Sequence, residues 1–292
     1  MRVSVILATY NQPRWLEMVL WGYAVQTYPR FDIVIADDGS GPETAAVIDR
    51  MRRTTGLAIT HVWHEDRGFR KTEILNRAIL ATPSEYLIFS DGDCIPRDDF
   101  VGTHVRLAEP RRYLAGTALR LPMELSEAIT VDDIRTGRVS ELGWLRARGY
   151  HAGRKLLKLV RVPTVPTLLD VTSSVHPTFD GGNASTWRTA LFAVNGFDNE
   201  MGYGLEDRSL GRRLEHIGVR GKRVRHRAIC LHLEHERPYK TEAMLERNAE
   251  IAARVEIHRE TRPACGLAEL AAADRARAVV VREPSHAVDS PR

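Results

Sequence analysis

Strand-like and helix-like segments alternate through the first part of this sequence, and that alternation restricts the fold more than any other feature. Short apolar runs of the buried-strand type are separated by stretches whose apolar residues have helical spacing. Such a series predicts a parallel sheet with helices on both faces. The predicted strands are 3–7, 31–36, 57–63 and 86–89, and the predicted helices are 15–25, 42–53, 71–80 and 97–108.

The composition supports a full core and excludes a disulfide scaffold. The 292 residues are 43% hydrophobic, and the formal net charge of +4 is only a mild basic excess. The three cysteines, Cys94, Cys230 and Cys265, lie far apart without a CxxC pair, so a reducing cytoplasm is the expected compartment. The N-terminal residues are typical of a first strand and not of a signal peptide. No apolar run reaches the roughly 18 residues that a membrane-spanning helix needs, so any membrane contact is expected at the surface.

The middle of the chain changes character. Residues 124–161 are rich in Arg and Lys with interspersed leucines, which predicts amphipathic helices. Two interpretations stay open for them: a solvated basic face, or a face that contacts phosphates or a membrane surface. The Pro- and Thr-rich stretch 162–177 is predicted to be a loop, and the tail from Pro263 is expected to fray. The later predicted elements are helices at 187–194, 206–217 and 241–258 and strands at 222–226 and 228–231.

Polar side chains follow three of the predicted strands at the points where the strands end. They are Thr9, Tyr10 and Asn11 after the first strand, Asp37 and Asp38 after the second, and Asp91 and Asp93 after the fourth. Ligands of parallel α/β sheets lie beyond the carboxyl ends of the strands, so these side chains are expected to meet at one site. Taken alone, Asp91-Gly92-Asp93 could be a plain turn, because Asp and Gly are turn formers. The convergence of three strand ends favours a functional site.

The spacing of Asp91 and Asp93 suggests a bound metal. Residues that are two positions apart lie on the same side of an extended backbone. Carboxylate oxygens suit Mg²⁺ or Mn²⁺, which also bind the oxygens of a diphosphate. Two acids without a metal would repel a diphosphate, whereas a cation between them reverses that interaction. Mn²⁺ or Mg²⁺ is therefore the expected cofactor.

Several motifs, in order along the chain, resemble those of the family-two nucleotide-sugar glycosyltransferases with the GT-A fold. The DGD that begins at Asp91 resembles their DxD motif, and ATYNQ, IADDGS and RGFRKTEILNRAI resemble segments of their N-terminal half. Residues 181–214, which contain GGN, NGFDNE and GYGLED, resemble the second half of galactosyltransferase-like members. Asn199 and Tyr203 depart mildly from the NGFDE and WGxED signatures. DxD alone is a weak signal, but the ordered set covers most of residues 1–240 and is specific.

The resemblance implies both a fold and an activity. The fold would be GT-A, a Rossmann-like α/β architecture with a central mixed sheet and helices on both faces. The enzyme would move a sugar from a nucleotide-diphosphate sugar to a hydroxyl of a glycan, lipid-linked or small-molecule acceptor, with inversion of configuration at the anomeric carbon. A UDP-sugar is the first candidate for the donor. No nucleic-acid partner is expected. The enzyme is expected in the cytoplasm, with peripheral contact to the inner face of the membrane as a further option.

The chain divides accordingly into four parts. Residues 1–122 would form the nucleotide-sugar-binding half, and 123–180 a helical and loop insertion near the acceptor site. Residues 181–260 would form the acceptor-binding, galactosyltransferase-like half, and 261–292 a flexible C-terminal tail. The basic segment 135–161 is expected to lie over or beside the acceptor site.

The resemblance also implies residues that bind the donor. Asp38 would bind the base or the ribose, Thr9 and Tyr10 would flank the base, and Asp91 would contact the ribose or the sugar. For Arg70, a place near the donor and a plain surface position both stay open. The full donor set is Thr9, Tyr10, Asn11, Asp38, Arg70, Asp91, Gly92, Gly182 and Asn183.

Metal-binding and catalytic residues follow from the same resemblance. Asp93 would hold the metal, and His232 of LHLEHE would complete the site, with His235 as the second candidate. Asp207 matches the family's catalytic base, which must reach the acceptor hydroxyl. Glu206 matches a neighbour that contacts the sugar or the acceptor. Taken alone, the two acids could simply stabilise the N-terminus of a helix.

Three other interpretations remain at the level of sequence. A nucleotidyltransferase acting on sugar phosphates would also use an α/β fold, a metal and acids, but the chain lacks its Gly-rich N-terminal phosphate loop. A non-catalytic sugar-binding module of the same fold would be favoured by loss of Asp93 or Asp207, and both are present. A retaining transferase would differ in the anomer of its product.

Overall fold

The computed structural model of the protein describes residues 1–151, 153–162, 164–236, 240–274 and 281–282. Its strands are β1 (Val3–Thr9), β2 (Asp32–Asp37), β3 (Ile59–Trp63), β4 (Tyr86–Asp91), β5 (Cys94–Pro96), β6 (Arg112–Ala115), β7 (Thr117–Arg120), β8 (Asn183–Trp187), β9 (Arg220–Arg223), β10 (Ile229–His232) and β11 (Val281–Arg282). Its helices are α1 (Pro13–Ala24), α2 (Pro42–Thr55), α3 (Lys71–Ala81), α4 (Phe100–Leu107), α5 (Met123–Ala128), α6 (Val131–Arg135), α7 (Leu142–Ala147), α8 (Thr164–Thr172), α9 (Arg188–Ala193), α10 (Glu206–His216), α11 (Glu242–Ile257) and α12 (Leu267–Asp274). Short 3-10 helices span Arg138–Ser140 and Gly153–Leu159.

The central sheet contains eight of the described strands, in the order β11-β3-β2-β1-β4-β8-β6-β9. Strands β3, β2, β1 and β4 are parallel to one another, as the alternation of strands and helices predicts. Strand β8 pairs antiparallel with both β4 and β6, and β6 pairs parallel with β9. The sheet is therefore mixed, which confirms the expectation drawn from the family resemblance.

Helices cover both faces of this sheet because successive side chains of a strand point to opposite sides. In β1, Val5 and Leu7 join a core cluster that includes apolar side chains of α1 and α2. Ile6 and Ala8 join a second cluster with apolar side chains of α3 and α10. A fully buried Val, Leu or Ile side chain contributes about 1.5–3 kcal/mol, so burial on both faces holds the helices against the sheet.

A small sheet in the order β5-β10-β7 lies beside the end of β4. Strand β5 begins directly after Gly92 and Asp93, and its antiparallel pairing with β10 places Cys94 opposite His232. The backbone N–H of Leu233 donates to the carbonyl of Asp93 at 2.8 Å. This pairing brings the end of β10 to the turn that follows β4.

The insertion 123–180 packs as short helices against the first core cluster. Leu125 of α5, Ile134 of α6, and Trp144 and Leu145 of α7 are buried there. Helix α6 also contacts α1. The apolar residues between the basic ones, which predict amphipathic helices, are the residues that make this contact.

One helix and several strands differ from the secondary structure predicted from the sequence. The stretch 162–177, predicted as a loop, contains α8. Its Pro166 is the third residue of the helix, in the first turn, where a backbone N–H has no intrahelical partner and Pro is tolerated. Five strands, β5, β6, β7, β8 and β11, lie where no strand was predicted.

The first part of the predicted flexible tail packs onto the domain. Helix α12 contacts α3, and Leu267 is buried in the second core cluster. The backbone N–H of Leu267 donates to the carbonyl of Asn195 at 3.0 Å. The structure differs here from the expected fraying because Leu267 buries its side chain; residues 275–280 and 283–292 of the tail lie outside the described residues. None of the helices in the described part of the chain combines the length and the apolar character needed to cross a bilayer.

Candidate active site

The carboxyl ends of β2, β1 and β4 lie side by side at one edge of the sheet. In the strand register, Thr9 lies opposite Asp37, and Ala8 lies opposite Asp91. A cavity of about 750 Å³ opens beyond these strand ends, which is a typical volume for a small-ligand site. The predicted site residues that line it are Thr9, Tyr10, Asn11, Asp38, Asp91, Gly92, Asp93, Gly182, Glu206, Asp207, His232 and His235.

Asn183 was predicted to bind the donor, but its side chain does not line the cavity. It is fully buried, and its Nδ2 donates to the carbonyls of Thr117 at 3.1 Å and Ala228 at 3.0 Å. These contacts connect β8 to β7 and to the segment before β10. The position of Asn183 is thus explained by sheet packing without a ligand.

Arg70, the other predicted donor residue outside the cavity lining, acts on the site through its backbone. Its guanidinium contacts the carboxylate of Glu73 and the carbonyl of Glu65. Its backbone N–H donates to Oδ2 of Asp38 at 2.9 Å. Of the two interpretations that the sequence left open, the side-chain contacts favour the surface position.

Asp38, Tyr10 and Asn11 form the end of the cavity at β1 and β2. Asp38 is buried, and its Oδ1 lies 2.7 Å from Nε2 of His64. Asn11 accepts a hydrogen bond from the backbone N–H that precedes α2, at 2.9 Å. The Tyr10 hydroxyl donates to Oδ2 of Asp66 at 2.9 Å, while its ring is exposed. A held aromatic ring next to fixed carboxylate and amide oxygens suits a planar base and the hydroxyls of a ribose.

Asp93, His232 and His235 form a group that fits a divalent metal ion. Their ligand atoms all lie within 4.8 Å of one another. Oδ2 of Asp93 lies 2.7 Å from Nε2 of His235 and 3.6 Å from Nε2 of His232. Burial raises the pKa of Asp93, but the hydrogen bond with His235 and the charge of His232 outweigh burial and lower that pKa to about 2. The carboxylate therefore stays ionised, as a metal ligand must.

A second group with close ligand atoms, Asp91, Asp93 and Cys94, fits a metal less well. A hydrogen bond with Cys230 and burial raise the pKa of the Cys94 thiol well above its usual value. Because a cysteine binds a metal as the thiolate, Cys94 is a poor ligand here. The set of one carboxylate and two imidazoles also suits Mn²⁺ better than Mg²⁺, since Mg²⁺ is bound mainly by oxygen ligands.

Lys71 is a site residue that the sequence analysis missed. Its Nζ donates to Oδ1 of Asp91 at 2.8 Å from the first position of α3. Burial lowers the pKa of Lys71, but the charges of Asp91 and Glu206 outweigh burial and raise that pKa above its usual value. The charged ammonium therefore offsets part of the negative charge at the strand ends. Its place beside Arg70 in RGFRKTEI was the available signal.

Glu206 and Asp207 begin α10, and Asp180, another residue that the sequence analysis missed, lies near them. Oδ2 of Asp207 accepts a hydrogen bond from the backbone N–H of Gly181 at 3.1 Å. Burial and the charge of Asp207 raise the pKa of Glu206 to about 7 and that of Asp180 to about 6. Two carboxylates with such raised pKa values, next to a third acid in a cavity, are typical of a site that moves protons near neutral pH. The GGN motif that follows Asp180 marked this part of the chain in the sequence, but it did not identify Asp180 itself.

Gly92 and Gly182 allow the backbone to approach its neighbours closely. A Cβ atom on Gly92 would lie 3.1 Å from the carbonyl oxygen of Ala8, and one on Gly182 would lie 3.0 Å from Oδ2 of Asp91. Any larger residue at either position would therefore displace β1 or the Asp91 carboxylate. The packing at the strand ends accounts for both glycines.

An aromatic pair forms part of the cavity wall near α10. The rings of Tyr203 and Phe69 lie 5.9 Å apart between centroids, nearly perpendicular at 88°, and both residues line the cavity. Tyr203 therefore places an aromatic ring at the position where the family signature has Trp. Phe69 was not identified from the sequence.

The insertion 123–180 reaches the cavity only at its end. Thr178, Phe179 and Asp180 line the cavity, whereas no residue of the described part of 123–177 does so. The basic segment 135–161 is therefore not part of the cavity wall, and the expectation that it lies over or beside the acceptor site stays a prediction. Its buried apolar side chains hold it against the first core cluster instead.

Two family descriptions match the sequence in succession. Residues 4–142 match the family described as "Glycosyl transferase family 2", and residues 172–236 match the family described as "N-terminal domain of galactosyltransferase". The first match spans the strands that end at the cavity, and the second spans the segments that supply Asp180, Glu206, Asp207 and His232. The fold and the site thus match the glycosyltransferase class. The first part of the chain matches glycosyltransferase family 2, and the second part is galactosyltransferase-like.

Curated relatives match a limited part of the chain. This chain is 28% identical over 95 residues to the poly(ribitol-phosphate) beta-N-acetylglucosaminyltransferase TarS of Staphylococcus aureus. The match covers 32% of this chain and 16% of TarS. The chain is 29% identical over 97 residues to the poly-beta-1,6-N-acetyl-D-glucosamine synthase of Staphylococcus epidermidis, which covers 33% of this chain and 23% of the synthase. The matches span less than a third of the length of either relative.

Solved structures share the fold of this chain. The mannosyltransferase PcManGT from Pyrobaculum calidifontis, in complex with GDP-Man and Mn²⁺, has a TM-score of 0.55 at 23% identity, covering 82% of this chain and 58% of PcManGT. The S. aureus TarS fragment 1–349, in complex with UDP-GlcNAc, has a TM-score of 0.58 at 16% identity, covering 86% of this chain and 64% of the fragment. The fold is therefore GT-A, as predicted.

Proposed function

We propose that the cavity catalyses the metal-dependent, inverting transfer of a sugar from a nucleoside-diphosphate sugar to an acceptor hydroxyl. The donor we favour is a UDP-sugar, and the acceptor is a glycan, a lipid-linked or a small-molecule hydroxyl compound. The observation that carries the proposal is a single cavity that joins the Asp93–His232–His235 group to the acids of α10. The mannosyltransferase complex with GDP-Man and Mn²⁺ and the TarS complex with UDP-GlcNAc support the donor class and the metal.

Asp93, His232 and His235 are the residues that would hold Mn²⁺ or Mg²⁺. A divalent ion bound there supplies positive charge that stabilises the departing diphosphate. Lys71 adds a second positive charge next to Asp91. The carboxylate of Asp91 is thereby held in one position, from which it can accept a hydrogen bond from the ribose or the sugar.

The nucleoside would lie at the other end of the strand edge. Asp38, fixed by His64 and by the backbone N–H of Arg70, offers a carboxylate to the base or the ribose. Tyr10 and Thr9 flank the base. Because these groups are held before the ligand arrives, little conformational freedom is lost on binding.

Asp207 is the residue we assign as the catalytic base. It lines the cavity, and the Gly181 N–H fixes one of its oxygens. Asp207 accepts the proton of the acceptor hydroxyl while that oxygen attacks the anomeric carbon from the side opposite the nucleotide. Glu206, next to it, binds the sugar or the acceptor. This reaction releases a nucleoside diphosphate and forms no covalent enzyme intermediate.

The cellular setting that we propose is the cytoplasm, including the inner face of the membrane. A lipid-linked acceptor would bring the enzyme to that face as a peripheral protein. We propose no nucleic-acid partner, because the net charge of +4 is small for a chain of 292 residues.

A screen of nucleotide sugars with the purified protein tests this proposal. Each donor is incubated with Mn²⁺ and a panel of simple glycoside and lipid acceptors, and both nucleoside diphosphate and pyrophosphate are quantified. We expect release of nucleoside diphosphate that stops when EDTA is added. Release of pyrophosphate would instead assign a nucleotidyltransferase. Absence of any metal-dependent nucleotide binding or release would favour a binding module.

A further inference from the structure

Exposed apolar side chains are concentrated in one short stretch of the insertion. Twelve large apolar side chains are exposed in the described residues, and six of them lie between positions 157 and 175. We call these six the α8 patch; with their exposed fractions they are Leu157 (42%), Val162 (57%), Val165 (37%), Leu168 (62%), Val171 (68%) and Val175 (52%). Single exposed apolar residues are normal, but a contiguous group of them marks an interaction surface.

Helix α8 is oriented so that its apolar side faces the solvent. Its one charged residue, Asp170, is buried, and Oδ2 of Asp170 accepts a hydrogen bond from Nε of Arg227 at 2.7 Å. Oδ1 of Asp170 lies 2.9 Å from Nδ1 of His226. Arg223 donates to the carbonyls of Asp170 at 2.9 Å and Val175 at 3.0 Å. These polar contacts hold the helix in place, so the fold itself keeps the apolar residues of α8 exposed.

The chain next to the patch is strongly basic. Residues 135–161 contain eight Lys and Arg residues and a single acid, Glu141. Arg146 and Lys155 are exposed, and neither has an ion-pair partner among the residues that the structure describes. Lys155 lies in the same 3-10 helix as Leu157. Exposed apolar side chains next to basic ones in the same stretch of chain match the boundary between lipid tails and anionic head groups.

We propose that the α8 patch docks on an anionic lipid surface. The charge decides between the candidate occupants, because two copies of the same basic surface would repel each other. This docking rests on the proposed function, in which the acceptor can be lipid-linked. Its test measures binding to lipid and not sugar transfer, so the docking proposal and the proposed function can fail separately.

The patch also adjoins the cavity. Val175 precedes Thr178, which lines the cavity, by three residues, and three residues span at most about 11 Å. A protein docked through the α8 patch therefore has the cavity wall at Thr178, Phe179 and Asp180 close to the lipid surface. A sugar-accepting hydroxyl on a lipid head group could reach the acids of α10 without leaving the membrane.

Co-sedimentation of the full chain with vesicles tests the docking. One vesicle population is phosphatidylcholine alone, and the other contains phosphatidylglycerol as the anionic lipid. We expect binding to the anionic vesicles that weakens as salt is raised. Binding to neither population, or equally tight binding to both, would overturn the proposal.

Matched variants locate the surface. Leu168→Ser together with Val171→Ser should weaken binding by about tenfold for each side chain removed, and Arg146→Gln with Lys155→Gln by about fivefold for each charge. The control is Ile257→Ser, which removes an exposed apolar side chain (74%) from α11, and it should bind as the unaltered protein does. Unchanged binding of the first pair, with circular dichroism like that of the unaltered protein, would contradict the proposal. A dimer in sedimentation equilibrium that the same pair dissociates would assign the patch to a second copy and overturn it.

Discussion

The acids at the start of α10 carry most of the chemistry that we assign to this protein. Glu206 and Asp180 have raised pKa values, because both are buried next to the charge of Asp207. Near neutral pH they are protonated for part of the time, which reduces the repulsion among the three carboxylates. The Gly181 N–H contact holds Asp207 in one orientation. Such an arrangement favours a base that accepts a proton at a defined point in the cavity.

Asp207→Asn tests the assignment of the base. Because a positioned base contributes typically 10²–10⁴-fold to the rate, we expect turnover to fall by about that factor. Affinity for the nucleoside diphosphate should persist, since the amide is nearly isosteric and the metal ligands are other residues. If the acids of α10 only stabilise the helix, Asp207→Asn would lower the free energy of unfolding by about 0.5–2 kcal/mol and leave turnover intact. Turnover, nucleotide affinity and melting temperature of one preparation separate these outcomes.

Glu206→Gln tests the burial of the neighbouring acid through the pH dependence of stability. The folded protein holds the pKa of Glu206 at about 7, against the usual 4.5. Glu206 therefore loses its proton at a lower pH in the unfolded chain than in the folded protein. The resulting penalty on folding is absent below about pH 4.5 and reaches about 3 kcal/mol above about pH 7.

We therefore expect Glu206→Gln to gain free energy of unfolding, relative to the unaltered protein, when the pH is raised from about 5 to about 8. Urea unfolding in the presence of EDTA measures this difference without a contribution from bound metal. The same relative stability at both pH values would show that Glu206 is not held in a buried, charged cluster.

The limits of sequence reasoning at single positions are clear at Asn183 and Lys71. The rule that ligands lie at strand ends found the cavity residues that follow β1, β2 and β4, because it depends only on the order of strands and polar residues. Asn183 was expected to bind the donor because of the family resemblance, which does not tell to which side a side chain points, and its side chain bonds to the carbonyls of Thr117 and Ala228 instead. Lys71 was missed because its contact with Asp91 joins α3 to β4, and its place beside Arg70 was the one signal that the sequence offered.

Secondary-structure elements made by local apolar patterns were predictable, and those made by distant pairing were not. Strands β1 to β4 are short runs rich in apolar residues, and the sequence predicted all four. Strand β8, with the sequence NASTW, has no such pattern; it is a strand because β4 and β6 pair with its two edges. Helix α8 lies in a stretch that is predicted to be a loop because it is rich in Pro and Thr, but the first turn of a helix tolerates Pro166.

Asp170 holds α8 in place, and its removal should be costly. Its carboxylate is buried and contacts Arg227 and His226. Asp170→Ala leaves the charge of Arg227 and the ring of His226 without this partner, so we expect a loss of about 3 kcal/mol in the free energy of unfolding. The matched control is Asp132→Ala in α6, whose carboxylate is 70% exposed and pairs with Arg138, and it should cost less than about 1 kcal/mol. Equal losses in urea unfolding would mean that Asp170 does not anchor the helix.

For the molecule as a whole, metal binding should add stability through the Asp93–His232–His235 group. Ligand at a concentration of 100 times its Kd stabilises a folded protein by about 2.7 kcal/mol. We expect Mn²⁺ to raise the melting temperature by several degrees and EDTA to reverse the rise. Asp93→Ala should abolish the rise, while Asp132→Ala should retain it. An increase that survives Asp93→Ala would place the metal elsewhere.

The arrangement of the strands and helices brings the residues of the site together. The parallel strands β2, β1 and β4 bring the residues proposed to bind the donor to one edge, and β10 brings the histidines to the turn after β4. Helix α10 adds the acids, and the insertion presents the α8 patch near the same opening. The order of the elements follows from the sequence; the distances between them depend on packing between residues far apart in the chain.

The configuration of the product tests the proposed reaction most directly. With a donor and an acceptor that give metal-dependent release of nucleoside diphosphate, proton NMR of the reaction mixture follows the anomeric signal of the transferred sugar. Attack from the side opposite the nucleotide, with Asp207 as the base, predicts a product whose anomeric configuration is inverted relative to the donor, and loss of that product signal in Asp207→Asn. A product with the donor's configuration, formed at an unchanged rate by Asp207→Asn, would contradict it.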